Sequence, residues 1–227
     1  MPYPHGHRDA IRKKIIQAAR KLFNRSGFEK VSINQIMAAT GLTRGGFYSY
    51  FTSKSDLYVE VLSCFFTDRR WNNTWDGVNI DLTATQIGPQ IVRAYLSHQH
   101  FENIEDSCPM IALPGDVAHE GKKAKQAFET VFRAMVGFLE GDLLDRSHSP
   151  ATTAHAIAAL CVGGMVVARA IDDRSFADEL RNACTAVALK LGGWDETAGT
   201  VPRSGGHEAT GSTRRSQRRR KPLPPNR

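Results

Sequence analysis

The four cysteines among the 227 residues, Cys64, Cys108, Cys161 and Cys184, stand far apart and form no CxxC pair. That excludes the common zinc modules and offers no disulfide framework. No apolar run reaches the roughly 18 residues that would suggest a membrane span. The opening Met-Pro-Tyr-Pro-His-Gly-His-Arg has no hydrophobic segment of the secretory kind. Period-two alternation is missing too, which leaves a helical chain. His98, His100 and His119 lack the spacing of a metal triad, and there is no cofactor loop, nucleophile turn or paired carboxylate. The expectation is an all-α, cytoplasmic protein of a reducing compartment, with no metal, no cofactor and no membrane partner.

What is present is an uneven distribution of charge. The net charge of +7 divides into +6 over residues 1–60, −6 over 61–198 and +7 over 199–227. A basic front part joined to an acidic body suits a chain whose N-terminal region meets a polyanion while the body does something else.

The stretch 31–54 carries the strongest local signal. Ser32 reads as an N-cap with Gln35 placed to close a capping box, and Val31 with Ile36 forms a hydrophobic staple. Ile33, Ile36 and Met37 make one apolar face. Gly41 follows where a left-handed C′ residue is needed. Leu42 tucks inward from the turn, Thr43 caps a second helix carrying Phe47, Tyr48, Tyr50 and Phe51, and Ser53 opens another with Asp56 three residues on. Helix, short glycine-containing turn, helix is the sequence form of a helix-turn-helix.

Before it, residues 1–7 read as a flexible arm. An amphipathic helix over 8–24 follows, with Lys and Arg on its outer face and Gly27 at its end. That basic face is either solvated or in touch with phosphate. After it, residues 54–70 and 86–101 read as helices separated by a loop over 72–83. Pro109 opens a helix that Pro114-Gly115 breaks or kinks. Residues 119–144 form a long helix. Residues 151–171 are small and apolar almost all round, which asks for burial on nearly every side, most easily against a second copy. A last helix spans 176–191. Residues 196–227, rich in Gly, Ser, Thr, Pro and Arg, read as a disordered basic tail, either solubilising or adding sequence-independent attraction to nucleic acid.

The first ~60 residues closely resemble the DNA-binding domain of TetR-type (TetR/AcrR) transcriptional regulators. The resemblance rests on Val31-Ser-Ile-Asn-Gln-Ile, Ala39-Thr-Gly-Leu-Thr-Arg-Gly and Phe47-Tyr-Ser-Tyr-Phe-Thr-Ser-Lys-Ser-Asp-Leu57. The segments Tyr95-Leu96-Ser97 and Cys108-Pro109-Met110 resemble one branch of that family. The resemblance implies a three-helix DNA-binding domain over 8–68 and a helical effector-binding and dimerisation domain over 69–195. It further implies a homodimer, double-stranded operator DNA as partner, and a small-molecule effector that releases a repressor from a palindromic operator. By position, Thr43 and Arg44 start the recognition helix and Gly45 allows close backbone approach. Tyr48 and Tyr50 contact phosphate or thymine methyls, while Ser32 and Lys54 bind phosphate. Gly46 beside Gly45 departs from the pattern. Two glycines cost about 1 kcal/mol each in an eight-residue helix, so this helix is expected to order fully only on DNA.

Arg44 is the candidate for direct base reading, since a guanidinium can bond guanine O6 and N7 together; holding phosphate is the alternative. Trp71, Tyr95, His98 and Cys108 are the candidate effector pocket, with core packing as the alternative for the aromatics. Cys108 precedes a proline at an expected helix N-terminus, where the dipole can lower a thiol pKa. That leaves open a regulator sensing oxidants or electrophiles through Cys108, and a thiol-dependent enzyme with a histidine base.

Overall fold

The computed structural model describes residues 5–67, 80–81, 83–145 and 148–194. Most of the expected loop over 72–83, Trp71 and the whole basic tail lie outside those residues. No strand occurs among the described residues, in keeping with the all-α reading.

Four helices make the front part, or head: α1 (His5–Ser26), α2 (Ile33–Ala39), α3 (Arg44–Phe47) and α4 (Lys54–Thr67). α1 begins three residues inside the segment read as an arm. The last proline is Pro4, so nothing bars a helix from His5 onward. Gly27, at φ 78°, turns the chain out of α1. Phe28 then folds back, its ring 5.6 Å from that of Phe23 and 4.6 Å from that of Tyr58. The core of the head gathers Ile15, Ala19, Phe23, Phe28, Val31, Ile36, Met37, Phe47, Phe51, Leu57, Tyr58 and Leu62, all buried. It runs on without a seam into Leu113, Val117, Ala124 and Ala127 of the body. No exposed linker therefore separates the two parts at this point.

The body comprises α5 (Gly88–Tyr95), α6 (His98–Glu102), α7 (Pro109–Ala112), α8 (Pro114–His119), α9 (Lys122–Asp142), α10 (Pro150–Arg169) and α11 (Arg174–Gly192). The single helix expected over 86–101 is two. Its chain breaks at Leu96-Ser97, because the Ser97 hydroxyl caps α6 by accepting from His100 N at 3.1 Å. The Leu96 carbonyl turns instead to Arg181 at 2.7 Å. Pro109 takes the first turn of α7 as expected, and Pro114 stops that helix and opens α8. Because α8 takes in His119, the long helix starts three residues later than expected, at Lys122.

α10 buries Ala154, Ile157, Ala158, Cys161, Gly164, Met165 and Ala168 against its neighbours. Gly164 lets α11 pass closely: a Cβ there would lie 2.8 Å from Cys184 Sγ. Among the described helices, α10 alone is long and apolar enough to cross a membrane by length and composition. Its inward face is nevertheless core. Its outward face keeps Val167 51% exposed, and α11 does the same with Phe176 at 56% and Val187 at 48%.

Candidate nucleic-acid interface

The turn and its flanking helices are built as the sequence dictates. Ser32 Oγ accepts from Gln35 N at 3.3 Å, and Gln35 Oε1 accepts from Ser32 N at 2.8 Å, which closes the capping box. At the other end of α2, Leu42 N donates to Met37 O and Gly41 N to Ala38 O, both at 3.0 Å, with Gly41 at φ 74°. Those two bonds are a Schellman motif, and they fix the direction in which the chain leaves α2.

The second helix is shorter than the eight residues expected. Arg44–Phe47 forms one α-turn, and the chain then tightens, with Ser49 N donating to Gly46 O and Tyr50 N to Phe47 O, both i to i−3. Gly45 and Gly46 contribute no side-chain packing to hold a longer helix. Thr43 occupies the N-cap position, but its hydroxyl makes no cap bond, unlike the expectation. What anchors the turn is Phe47, fully buried, with Phe51 5.6 Å away ring to ring. Ser49 O is further held by Arg8 at 2.8 Å.

This arrangement brings Thr43, Arg44, Gly45 and Tyr48 together on one exposed surface. Tyr48 stands on the edge of Phe47, at 5.3 Å and 89°, and is 57% exposed. Tyr50 is half-buried and packs against the head core. A Cβ on Gly45 would meet nothing within 4 Å, and one on Gly46 only ordinary contacts with Met37 and Thr43. Nothing inside the protein requires glycine at position 45.

The remaining basic side chains are mostly committed inside the molecule. Lys54 Nζ donates to Phe28 O at 2.9 Å and Val31 O at 3.1 Å, and lies 4.1 Å from the centre of the Phe28 ring. Two of its three N–H groups therefore clamp the α1–α2 turn. Arg12 pairs with Glu60 at 2.8 Å over the Phe51 ring, and Lys14 holds Thr40 O at 3.0 Å. Arg20 and Lys21 both bind Asp106, each at 3.0 Å. Much of the basic face of α1 thus turns to the body. Ser32, in its capping box, is occupied in the same way. For Arg44 no ion-pair partner appears among the described residues.

The proposed pocket residues do not form one site. Tyr95 and Cys108 are buried side by side and interact through hydroxyl and thiol. His98 is exposed, stacked on Phe101, and lines a surface groove with Arg93, Ser97, Asp178 and Arg181. The helix break at Ser97 is what turns it outward. His100 takes the interior place instead. It is 3% exposed, its Nδ1 bonds Tyr95 O at 2.6 Å, and its Nε2 accepts from Cys108 N at 3.3 Å. Those partners set the tautomer, with the proton on Nδ1. Burial holds the ring neutral, lowering its pKa to about 3, and pushes the Cys108 thiol up to about 12. A helix start at Pro109 does not offset that desolvation. Among the described residues there is no cluster of His, Cys, Asp and Glu suited to a metal ion.

Sequence reasoning passed over the buried polar residues Asn24, Ser107 and Arg181 and the half-buried Arg169. Most of their acceptors are backbone carbonyls, which leave no trace in residue type.

Residues 15–61 match the family described as bacterial regulatory proteins, tetR family. The HTH-type transcriptional regulator AcrR of Shigella flexneri is 40% identical over 50 residues, 22% of this chain and 23% of that one. The HTH-type transcriptional regulator YfiR of Bacillus subtilis (strain 168) is 32% identical over 56 residues, 25% of this chain and 27% of that one. The chain thus spans about a quarter of the length of these curated relatives. The crystal structure of E. coli NemR in its reduced form shares the fold over 80% of this chain and 96% of its own, with a TM-score of 0.64 at 18% identity. Residues 15–61 are thus a helix-turn-helix domain of the tetR family of bacterial regulatory proteins, and the chain as a whole shares its fold with a solved regulator.

Proposed function

We propose that this protein is a ligand-responsive DNA-binding transcriptional regulator of the cytoplasm, a homodimeric repressor that a small molecule releases from a palindromic operator. The observation that carries the reading is the exposed turn Thr43–Tyr48. It rests on a rigid capped helix, and its Arg44 is uncommitted while Arg12, Lys14, Arg20, Lys21 and Lys54 are engaged within the fold. A cation left out of internal pairing, beside a glycine with open space and an exposed tyrosine, suits a duplex groove. Support for the dimer comes from the apolar outward faces of α10 and α11, which a second copy would cover. The effector belongs to the body; Tyr95 and Cys108 mark the interior it would have to reach.

A sensing thiol at Cys108 is disfavoured by its burial and raised pKa. A thiol-dependent enzyme is disfavoured too. Both nitrogens of His100 are already bonded, to Tyr95 O and to the Cys108 amide.

The test is a gel shift with DNA flanking the protein's own gene. Specific retention that weakens steeply with salt is expected; its absence at every neighbouring palindrome would overturn the regulator reading. Arg44→Ala should lower operator affinity about tenfold or more while random DNA loses little, as removal of a bidentate base contact costs about 1–3 kcal/mol. Equal losses on both would show that Arg44 only holds phosphate.

A further inference from the structure

The loop 103–108, between α6 and α7, is gripped from two sides. From the body comes Arg169, the last residue of α10. Its Nε donates to Phe101 O at 3.3 Å, its Nη1 to Ser107 Oγ at 3.1 Å, and its Nη2 to His100 O and, at 3.4 Å, to Asn103 O. Three of those acceptors are carbonyls at the C-terminal end of α6, which have no partner within their own helix. From the head comes α1. Asn24 Nδ2 donates to Glu105 O at 3.1 Å and to Ser107 O at 2.9 Å, while Arg20 and Lys21 share the Asp106 carboxylate. Arg25 adds a looser pair with Glu105 at 3.4 Å. One short span of chain thus ties the end of a helix with an exposed apolar face to the last two turns of the first head helix.

The head has a second tie to the body elsewhere. Phe28 N donates to Asp116 Oδ2 at 2.7 Å where α1 ends. The loop holds residues 20–25 and Asp116 holds the turn just beyond them, so the two ties together fix how the C-terminal end of α1 meets the body. The loop ties are polar and directional, so they specify orientation in a way that the continuous apolar core around Leu113 and Val117 does not.

We propose that Arg169, acting through this loop on Asn24 and Asp106, is a positioning residue for DNA binding. It sets the angle of the head relative to α10, and so the separation of the two reading turns across the dimer. This inference rests on the dimeric regulator reading given above. Arg169 touches no DNA in it. Its effect is geometric and appears in which half-site spacing the dimer accepts.

The experiment uses the full chain and a set of operators whose half-sites are moved apart or together by one or two base pairs. Each added pair both translates and rotates the second half-site along the duplex. Wild type should lose at least about tenfold in affinity per base pair of change, comparable to the cost of a mismatched base. In Arg169→Met, Asn24→Ala and Asp106→Asn that penalty should shrink to about threefold or less, with affinity for a single half-site unchanged. Arg169→Lys should restore it in part, since an ammonium can serve some of the same carbonyls. Asp106→Asn, at a partly exposed side chain, covers the case in which Arg169→Met fails to fold. Folded dimeric variants that keep the wild-type penalty would overturn the proposal. So would variants that lose affinity equally at all spacings and at the half-site, because that marks a merely structural role. A wild type that does not prefer any operator to random DNA would instead sink the regulator reading itself.

Discussion

The head and the body solve the same problem of burial differently. The head closes on itself. Four helices bring Phe23, Phe28, Phe47, Phe51 and Tyr58 together, with ring pairs 4.6–5.6 Å apart among them. Edge and tilted pairs of this kind add about 0.5–1.5 kcal/mol each beyond their buried area. Its cations are largely spent on its own carbonyls or on the body. Of the two last body helices, α10 is rich in Ala, Gly and Val, and α11 meets it through small residues such as Ala177, Cys184 and Ala188. They fit closely on one side and leave Val167, Phe176 and Val187 open on the other. The head therefore presents polar chemistry on a finished scaffold, whereas these helices present an apolar surface that a single copy does not cover.

Placing charge on that surface is the strongest way to break the contrast. Val167→Asp together with Val187→Asp should convert a dimer to monomers in sedimentation and lower operator affinity by at least about 100-fold, through loss of two-headed avidity. Helical circular dichroism should be unchanged, since both positions face outward. A double variant that sediments as wild type would mean the exposed apolar face has another use.

A smaller effect tests the polar inventory of the body interior. His100 titrates near its ordinary value of 6.5 once unfolded, but its pKa is held at about 3 in the native state. Between those values the unfolded chain binds a proton that the native chain does not. Stability is therefore present above about pH 6.5 and falls as pH drops toward 3. Urea titrations should show His100 contributing a loss of about 2 kcal/mol between pH 7 and pH 5. His100→Asn, which keeps one donor and one acceptor, should flatten that part of the slope. Equal slopes in the two proteins would show that the ring is hydrated in solution.

The smallest expected effect lies in the head. Gly45→Ala introduces no internal contact and should raise the stability of the free protein by up to about 1 kcal/mol, as alanine replaces glycine in a helix. Operator affinity should nevertheless fall, since an added methyl meets the approaching duplex. A variant both more stable and equally tight would show that Gly45 lies away from the DNA.

Much of this was legible in the residues, and for local reasons. Caps, staples and glycine turns act over three to six residues, so Ser32 with Gln35, Gly27 and Gly41 announced the ends of their helices. Pro109 and Pro114 did the same in the body. The exposed site at Thr43, Arg44 and Tyr48 followed from that local frame. The effector pocket was less legible. The helix break at Leu96-Ser97 sends His98 out and His100 in, and periodicity read across 86–101 as one helix assigned the interior to the wrong histidine. Lys54 matched a motif position, yet its ammonium went to carbonyls from residues 23 and 26 positions earlier in the chain.

By itself the sequence determined the helical class, the position of the helix-turn-helix and the basic–acidic division, because each depends on residue type and near spacing. The tertiary structure alone decided which cations are engaged within the fold, which histidine is buried, and that the loop 103–108 ties α10 to α1. The loop's ties span about 60 to 90 residues and the clamps of Lys14 and Lys54 span 23 to 26, beyond the reach of local spacing. Their acceptors are mostly backbone carbonyls, which every residue carries alike.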